Sequence, residues 1–175
     1  MRYVIVCTIK GPAGEFNNKL RKDIFHKFGA KSSKLPAHFT IKAPFDYDNI
    51  TDLEDILENF SKTYNKAPIE IKGYNSFRKD VIYMDVKISK EAKYTHDKLI
   101  DELVKLPYLT FKPNEGKNKI FHITIASKKI YDNFEPIKNY VESFPCNFQS
   151  FFDNIGIYKW VDNTWVLHKE YELLP

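Results

Sequence analysis

Two short stretches carry the side chains best able to do chemistry. Pro36-Ala37-His38-Phe39-Thr40-Ile41 and Ile120-Phe121-His122-Ile123-Thr124-Ile125 each contain His-x-Thr-Ile. Strand side chains alternate between two faces. His38 and Thr40 therefore share one face and Phe39 and Ile41 take the other. His122 and Thr124 are likewise set against Ile123 and Ile125. With 5 histidines in the chain, one His-x-Thr triplet would arise by chance about a quarter of the time. Two copies, both in β-like runs, point to a site rather than to ordinary surface.

Two imidazoles facing one phosphate make an acid–base pair. Histidine titrates near neutrality, so one ring can take a proton from water or a ribose hydroxyl while the other gives one to the departing oxygen. The threonine hydroxyls can hydrogen-bond the non-bridging phosphoryl oxygens. No acidic cluster adjoins either histidine. Asp46 and Asp48 are the nearest acids to the first motif and read as turn residues, so the pattern asks for no metal and no cofactor.

The elements that must position these residues follow from periodicity. Residues 2–9 are an apolar run that predicts a central strand, ended by Gly11-Pro12. Phe16, Leu20, Ile24 and Phe28 form a helical stripe over 13–28, with Gly29 as its stop. A polar loop leads to Pro36 and the first motif strand, which Pro44 should interrupt. Residues 52–64 read as a helix capped by Thr51, with Glu54 completing a capping box. Residues 68–77 and 81–88 predict a hairpin. Residues 90–106 predict a helix, on which His96 is expected at the surface or in local packing. A polar loop with Pro107, Pro113 and Gly116 precedes the second motif strand. Residues 131–144 predict a helix begun or broken near Pro136. Residues 146–158 are one β-rich run, and 164–173 are a last strand.

Divided near residue 88, the order repeats as motif strand, helix and hairpin. The motifs lie about half a chain apart, and a pseudo-two-fold arrangement would face them across a cleft. The whole chain, 1–175, is expected to form one domain of two intertwined lobes sharing a continuous sheet system.

Composition sets the outer limits. The chain has 175 residues, 43% of them hydrophobic and 29% charged, the balance of a globular protein. Its 27 basic and 23 acidic residues give a net charge of +4, which tolerates an anionic substrate without demanding one. The lysines look scattered. Cys7 and Cys146, the only cysteines, make neither a disulfide scaffold nor a zinc cluster. Tyr3-Val4-Ile5-Val6 opens the chain without a secretory leader pattern, and no stretch is long enough to span a membrane. A cytoplasmic monomer with no membrane partner is the expectation.

The two motifs and the element order resemble those of the two-histidine (2H) phosphoesterase superfamily, in particular its 2'-5' RNA ligase-like and RNA 2',3'-cyclic phosphodiesterase members. That resemblance spans the chain and implies a bilobal α+β fold. In it, two antiparallel sheets line a central cleft and the helices lie outside. It implies His38 and His122 as catalytic residues and Thr40 and Thr124 as phosphate ligands. The implied substrate is a 2',3'-cyclic phosphate, at an RNA end or on a small nucleotide, opened to a 2'-phosphate. Making or breaking 2'-5' links is a related activity. For ring opening, His122 is assigned as base and His38 as acid. Phe45, Tyr158, Trp160 and Lys42 are candidate substrate contacts, and Lys128 follows its motif much as Lys42 does. His168 reads as structural or surface. A non-catalytic RNA- or nucleotide-binding module on the same fold is the alternative reading.

Overall fold

The computed structural model describes all 175 residues. Eight strands form two antiparallel four-stranded sheets, with four α-helices packed outside them. The strands are β1 (Arg2–Thr8), β2 (His38–Asp46), β3 (Ala67–Phe77), β4 (Val81–Ile88), β5 (His122–Ala126), β6 (Asn147–Phe152), β7 (Asn154–Val161) and β8 (Thr164–Glu172). The helices are α1 (Gly11–Phe28), α2 (Thr51–Ser61), α3 (Lys90–Leu103) and α4 (Phe134–Glu142).

The first sheet runs β2-β1-β7-β8 and the second β5-β4-β3-β6. Each motif strand is thus an outer strand of its own sheet. β2 and β5 approach within 8 Å, Cα to Cα, without joining into one ladder. The expected continuous sheet is therefore two sheets. A core of 42 buried residues, drawn from both sheets and the helices, connects them.

The apolar β1 is central because both its faces are covered. Tyr3, Ile5 and Cys7 enter the main core. Val4 and Val6 face the other way and pack with Leu35 and Tyr158. α1 starts at Gly11, with Pro12 in its first turn, and ends at Gly29. Gly29 has φ 66° and its N–H donates to the Phe25 carbonyl at 2.9 Å, the left-handed stop that glycine makes without strain. Gly14 lets α1 approach the chain closely, since a Cβ there would lie 2.1 Å from the Ile9 carbonyl oxygen.

Three expectations change. Pro44 does not interrupt β2, which runs through it as the outer strand of its sheet, where a missing N–H is tolerated. Thr51 does not cap α2. The carboxamide oxygen of Asn49 accepts from both the Thr51 amide (3.0 Å) and hydroxyl (2.7 Å), because Thr51 already lies inside the helix. The β-rich run 146–158 is two strands in different sheets, with β6 on β3 and β7 on β1. The switch falls at Asp153 and is fixed by Asn154, whose side chain accepts from the Thr8 amide (2.9 Å) and donates to the Thr8 carbonyl (2.8 Å). Of the two places expected for His96, surface or local packing, it takes the second: it is fully buried, edge-on to Phe121 at 4.8 Å, and neither ring nitrogen has a hydrogen-bond partner.

Candidate active site

Register places the four motif side chains on corresponding positions of the two sheets. On the first sheet His38 pairs with Thr8 and Thr40 with Val6. On the second, His122 pairs with Asp85 and Thr124 with Tyr83. Phe39, Ile41, Ile123 and Ile125 are buried behind them. Phe39 packs edge to face on Phe121 at 5.5 Å, so the two motifs are joined through their apolar sides.

Each imidazole is held in the same way. Nδ1 of His38 lies 2.7 Å from the Pro36 carbonyl, and Nδ1 of His122 lies 2.8 Å from the Ile120 carbonyl. A carbonyl only accepts, so Nδ1 carries the hydrogen and Nε2 holds the lone pair in the neutral ring. Both Nε2 atoms are accessible and have no partner in the chain. The hydroxyls of Thr40 and Thr124 are half-buried and also make no hydrogen bond within the protein. His122 is further seated by aromatic edges, with Phe77 at 4.9 Å and Tyr83 at 5.2 Å.

Between the sheets lies a cleft of about 520 Å³ walled by Thr40, Phe77, Asn118, Lys119 and His122, with Glu115 its one carboxylate; His38 and Thr124 lie outside this lining. A larger hollow of about 830 Å³ lies elsewhere, among Asp46, Asp48, Asp52 and Asp55. Its four carboxylates would repel a phosphate, so the smaller cleft is the better anion site.

Lys119 is the group that motif reading missed. Its ammonium donates to the Thr40 carbonyl. The preceding loop is pinned by Glu115, which accepts from the Lys112 amide (2.9 Å), the Ala43 amide (3.1 Å) and Lys42 Nζ (3.1 Å). Burial and the nearby Lys42, opposed by Glu115, bring the Lys119 pKa down to about 8. The only sequence signal was a lysine in a polar loop ending three residues before a motif histidine.

Charge and burial also set the histidines. Burial lowers the His38 pKa to about 4, against the Pro36 hydrogen bond, and the charges of Arg21, His122 and Lys119 lower it further. Burial likewise lowers His122, opposed by its bond to Ile120 and aided by Lys119. Arg21 reaches this region from α1. Its guanidinium donates to the Ser32 hydroxyl (2.7 Å) and to the carbonyls of Ser33 (2.6 Å) and Leu35 (2.9 Å). One turn earlier the buried Asn17 donates to the Thr124 carbonyl at 3.3 Å. α1 therefore braces the second motif strand and the loop that leads into the first.

The remaining candidates lie in varied places. Lys42 is buried, because a bulge after Thr40 puts it opposite the core residue Ile5, where Glu115 takes its charge. Strict alternation would have kept it beside Thr40. Phe45 is buried against Tyr3 (5.9 Å) and Tyr108 (6.3 Å), on the core side. Tyr158 lies on the cleft face of the first sheet, with its hydroxyl 3.3 Å from that of Thr8. Trp160 is half-buried and edge-on to Trp165 at 5.1 Å. His168 is bound to Glu54 at 2.5 Å, far along the first sheet from the motifs.

Two facing sheets, each presenting one cradled imidazole and one free hydroxyl on an outer strand, define a protein of the two-histidine phosphoesterase architecture. The chain belongs to the 2'-5' RNA ligase superfamily, whose family model matches residues 12–164. Solved structures share the fold at low identity. TT0787 of Thermus thermophilus has a TM-score of 0.66 at 11% identity, covering 99% of this chain and 98% of that one. E. coli LigT, crystallised with NADP+, has a TM-score of 0.61 at 12% identity with the same coverage. Usb1 of Kluyveromyces marxianus has a TM-score of 0.50 at 12% identity, covering 98% and 97%. No curated protein matches the chain in sequence.

Proposed function

We propose that this protein is a phosphodiesterase that opens 2',3'-cyclic phosphates to 2'-phosphates with His38 and His122, without a metal ion. The observation that carries this reading is the matched pair of Nδ1 bonds, which offers two accessible Nε2 atoms with the same tautomer. One imidazole removes a proton from water as its oxygen bonds to phosphorus. The other protonates O3' as the P–O3' bond breaks, leaving a 2'-phosphate and a free 3'-hydroxyl. Thr40, Thr124 and the Lys119 ammonium stabilise the charge that builds on the non-bridging oxygens. The same forward steps, with a 5'-hydroxyl in place of water, would join 2'-5' ends as P–O3' breaks, and the reverse steps would break that link by re-forming the cyclic phosphate. E. coli LigT, solved with 3'-AMP and with ATP, takes nucleotide-sized ligands on this fold.

The electrostatics favour exchanging the two roles expected from the motif. Burial lowers both rings and their mutual repulsion acts on both, but Arg21 and Lys119 oppose charge on His38 where Lys119 does so at His122. His38 is thus the better neutral base and His122 the better acid.

The deciding experiment incubates wild type, His38→Ala and His122→Ala with 2',3'-cyclic uridine monophosphate and cyclic-ended oligoribonucleotides, with and without EDTA, and identifies the product phosphate position. Each variant is expected to fold and to lose about 100- to 10,000-fold in turnover, the range for a general acid or base. Turnover that survives in both variants, or that EDTA abolishes, overturns the proposal. Binding of nucleotide with no turnover in wild type would favour the non-catalytic alternative.

A further inference from the structure

Outside the cleft, the C-terminal half of α1, the loop 30–35 and Lys128 enclose a second hollow of about 540 Å³. Arg21, Lys22, Lys31, Lys34 and Lys128 line it, and no carboxylate does. Five of the 27 basic residues gather here without one of the 23 acids, so this one surface outweighs the net charge of the whole chain.

The lysines are held together rather than scattered. Lys31 and Lys128 form an isolated antiparallel bridge, each amide donating to the other's carbonyl at 3.0 Å. Like charges directly opposite one another repel. Lys22, Lys31, Lys34 and Lys128 have no carboxylate within 4 Å, although eleven other basic side chains in this protein do. An external anion would relieve that repulsion.

Aromatic rings accompany the charges. Phe25 is 47% exposed at the hollow. At its other end Lys34 lies over the Trp160 ring at 5.7 Å and donates to the Asn163 carbonyl at 2.6 Å. The hollow also adjoins the site. Leu35, in its wall, packs under the cleft face with Val4, Val6 and Tyr158, and Pro36 next to it carries the His38 bond. The acidic hollow around Asp46 is at the far end of β2, about 26 Å from His38 at 3.3 Å per residue. The molecule is therefore polarised, basic beside His38 and acidic away from it.

Cations with one exposed ring among them and a half-buried indole at their end suit a single strand, whose phosphates need charge and whose bases need stacking surfaces. We propose that this surface binds the backbone of a single-stranded polynucleotide whose reacting end occupies the cleft. This proposal rests on the cyclic-phosphate reading for what happens in the cleft, but not for strand binding itself.

The test is fluorescence anisotropy of a fluorescein-labelled oligouridylate bearing a 3'-phosphate, titrated at several KCl concentrations. It compares wild type with Lys22→Glu/Lys31→Glu/Lys128→Glu and with the triple Lys→Arg variant. Thermal melts verify that each is folded. The glutamate variant should bind at least tenfold more weakly, with a log–log salt dependence shallower by roughly 2, at about 0.7 per phosphate contact. The arginine variant should bind like wild type. Turnover of 2',3'-cyclic uridine monophosphate should be unchanged in both. Equal oligonucleotide affinity in the glutamate variant overturns the proposal, as does a charge-dependent preference for phosphatidylserine vesicles over the oligonucleotide. If wild type binds the strand through these lysines but turns over no cyclic phosphate, the reaction assigned to the cleft fails and this surface stands.

Discussion

Phe39 and Phe121 meet edge to face at 5.5 Å, one residue after His38 and one before His122. This contact ties the outer strand of one sheet to the entry of the outer strand of the other. The distance between the two imidazoles is therefore set from behind, by core packing. Phe39 also meets Phe152 edge to face at 5.6 Å, so the ring is wedged between the two motifs and the strand switch at Asp153. Phe39→Ala should lower unfolding free energy by about 3–5 kcal/mol and reduce cyclic-nucleotide turnover further than the unfolded fraction explains. Phe39→Leu should cost less and retain activity. Urea denaturation and turnover on the same samples check this, and full activity in a stable Phe39→Ala protein would contradict it.

Thr40 and Thr124 should act on the transition state. Their hydroxyls are accessible and unpartnered, so Thr→Val removes a donor at nearly constant shape. Each single variant is expected to lose roughly 10- to 100-fold in kcat with KM little changed, somewhat less than a full oxyanion donor. A change confined to KM would mean uniform binding instead.

The pH dependence follows from the lowered histidine pKa values. In the free enzyme the base is active above its pKa and the acid below its own. His38 is lowered to about 4 and His122 lies below its ordinary 6.5. The kcat/KM for a small cyclic nucleotide should therefore peak on the acid side of pH 6.5. Lys119→Met removes a positive charge that opposes both imidazolium ions. It should move the peak upward by roughly half a pH unit while lowering its height. A peak above pH 7 in wild type, or no movement in the variant, would contradict the assignment.

His96 should make the fold acid-sensitive. Burial, with Lys119 beside it, lowers its pKa to about 3. In the unfolded chain it protonates below about 6.5, while the folded ring stays neutral. Its contribution is thus intact above pH 6.5 and is lost progressively as the pH falls toward 3. His96→Leu removes this titration and two unpartnered nitrogens. Relative to wild type the variant should gain about 2–3 kcal/mol between pH 7 and pH 4.5, at ~1.4 kcal/mol per pH unit. Urea midpoints at the two pH values test this, and an equal difference at both would refute it.

Much of the architecture was legible because its signals are local. Tyr3 to Cys7, the stripe through Leu20 and Ile24, and the stop at Gly29 each obey a period or a φ requirement that neighbours alone impose. The switch of sheet at Asp153 was not legible, since Phe152 and Asn154 continue a β pattern whichever sheet receives them. Lys42 leaves the face that alternation assigns it because a one-residue bulge inverts the side chains between it and the next register shift, before Phe45.

By itself the chain dictated the two His-x-Thr strands, their polar and apolar faces and the helices around them, because alternation and periodicity act over a few residues. Only tertiary structure decided which charges gather. Lys119 entered the cleft because Glu115 pins its loop to β2. Lys31 and Lys128, far apart in sequence, became neighbours because two backbone hydrogen bonds join the segment before the first motif to the segment after the second. Coulomb interactions depend on distance in space, which spacing along the chain does not report.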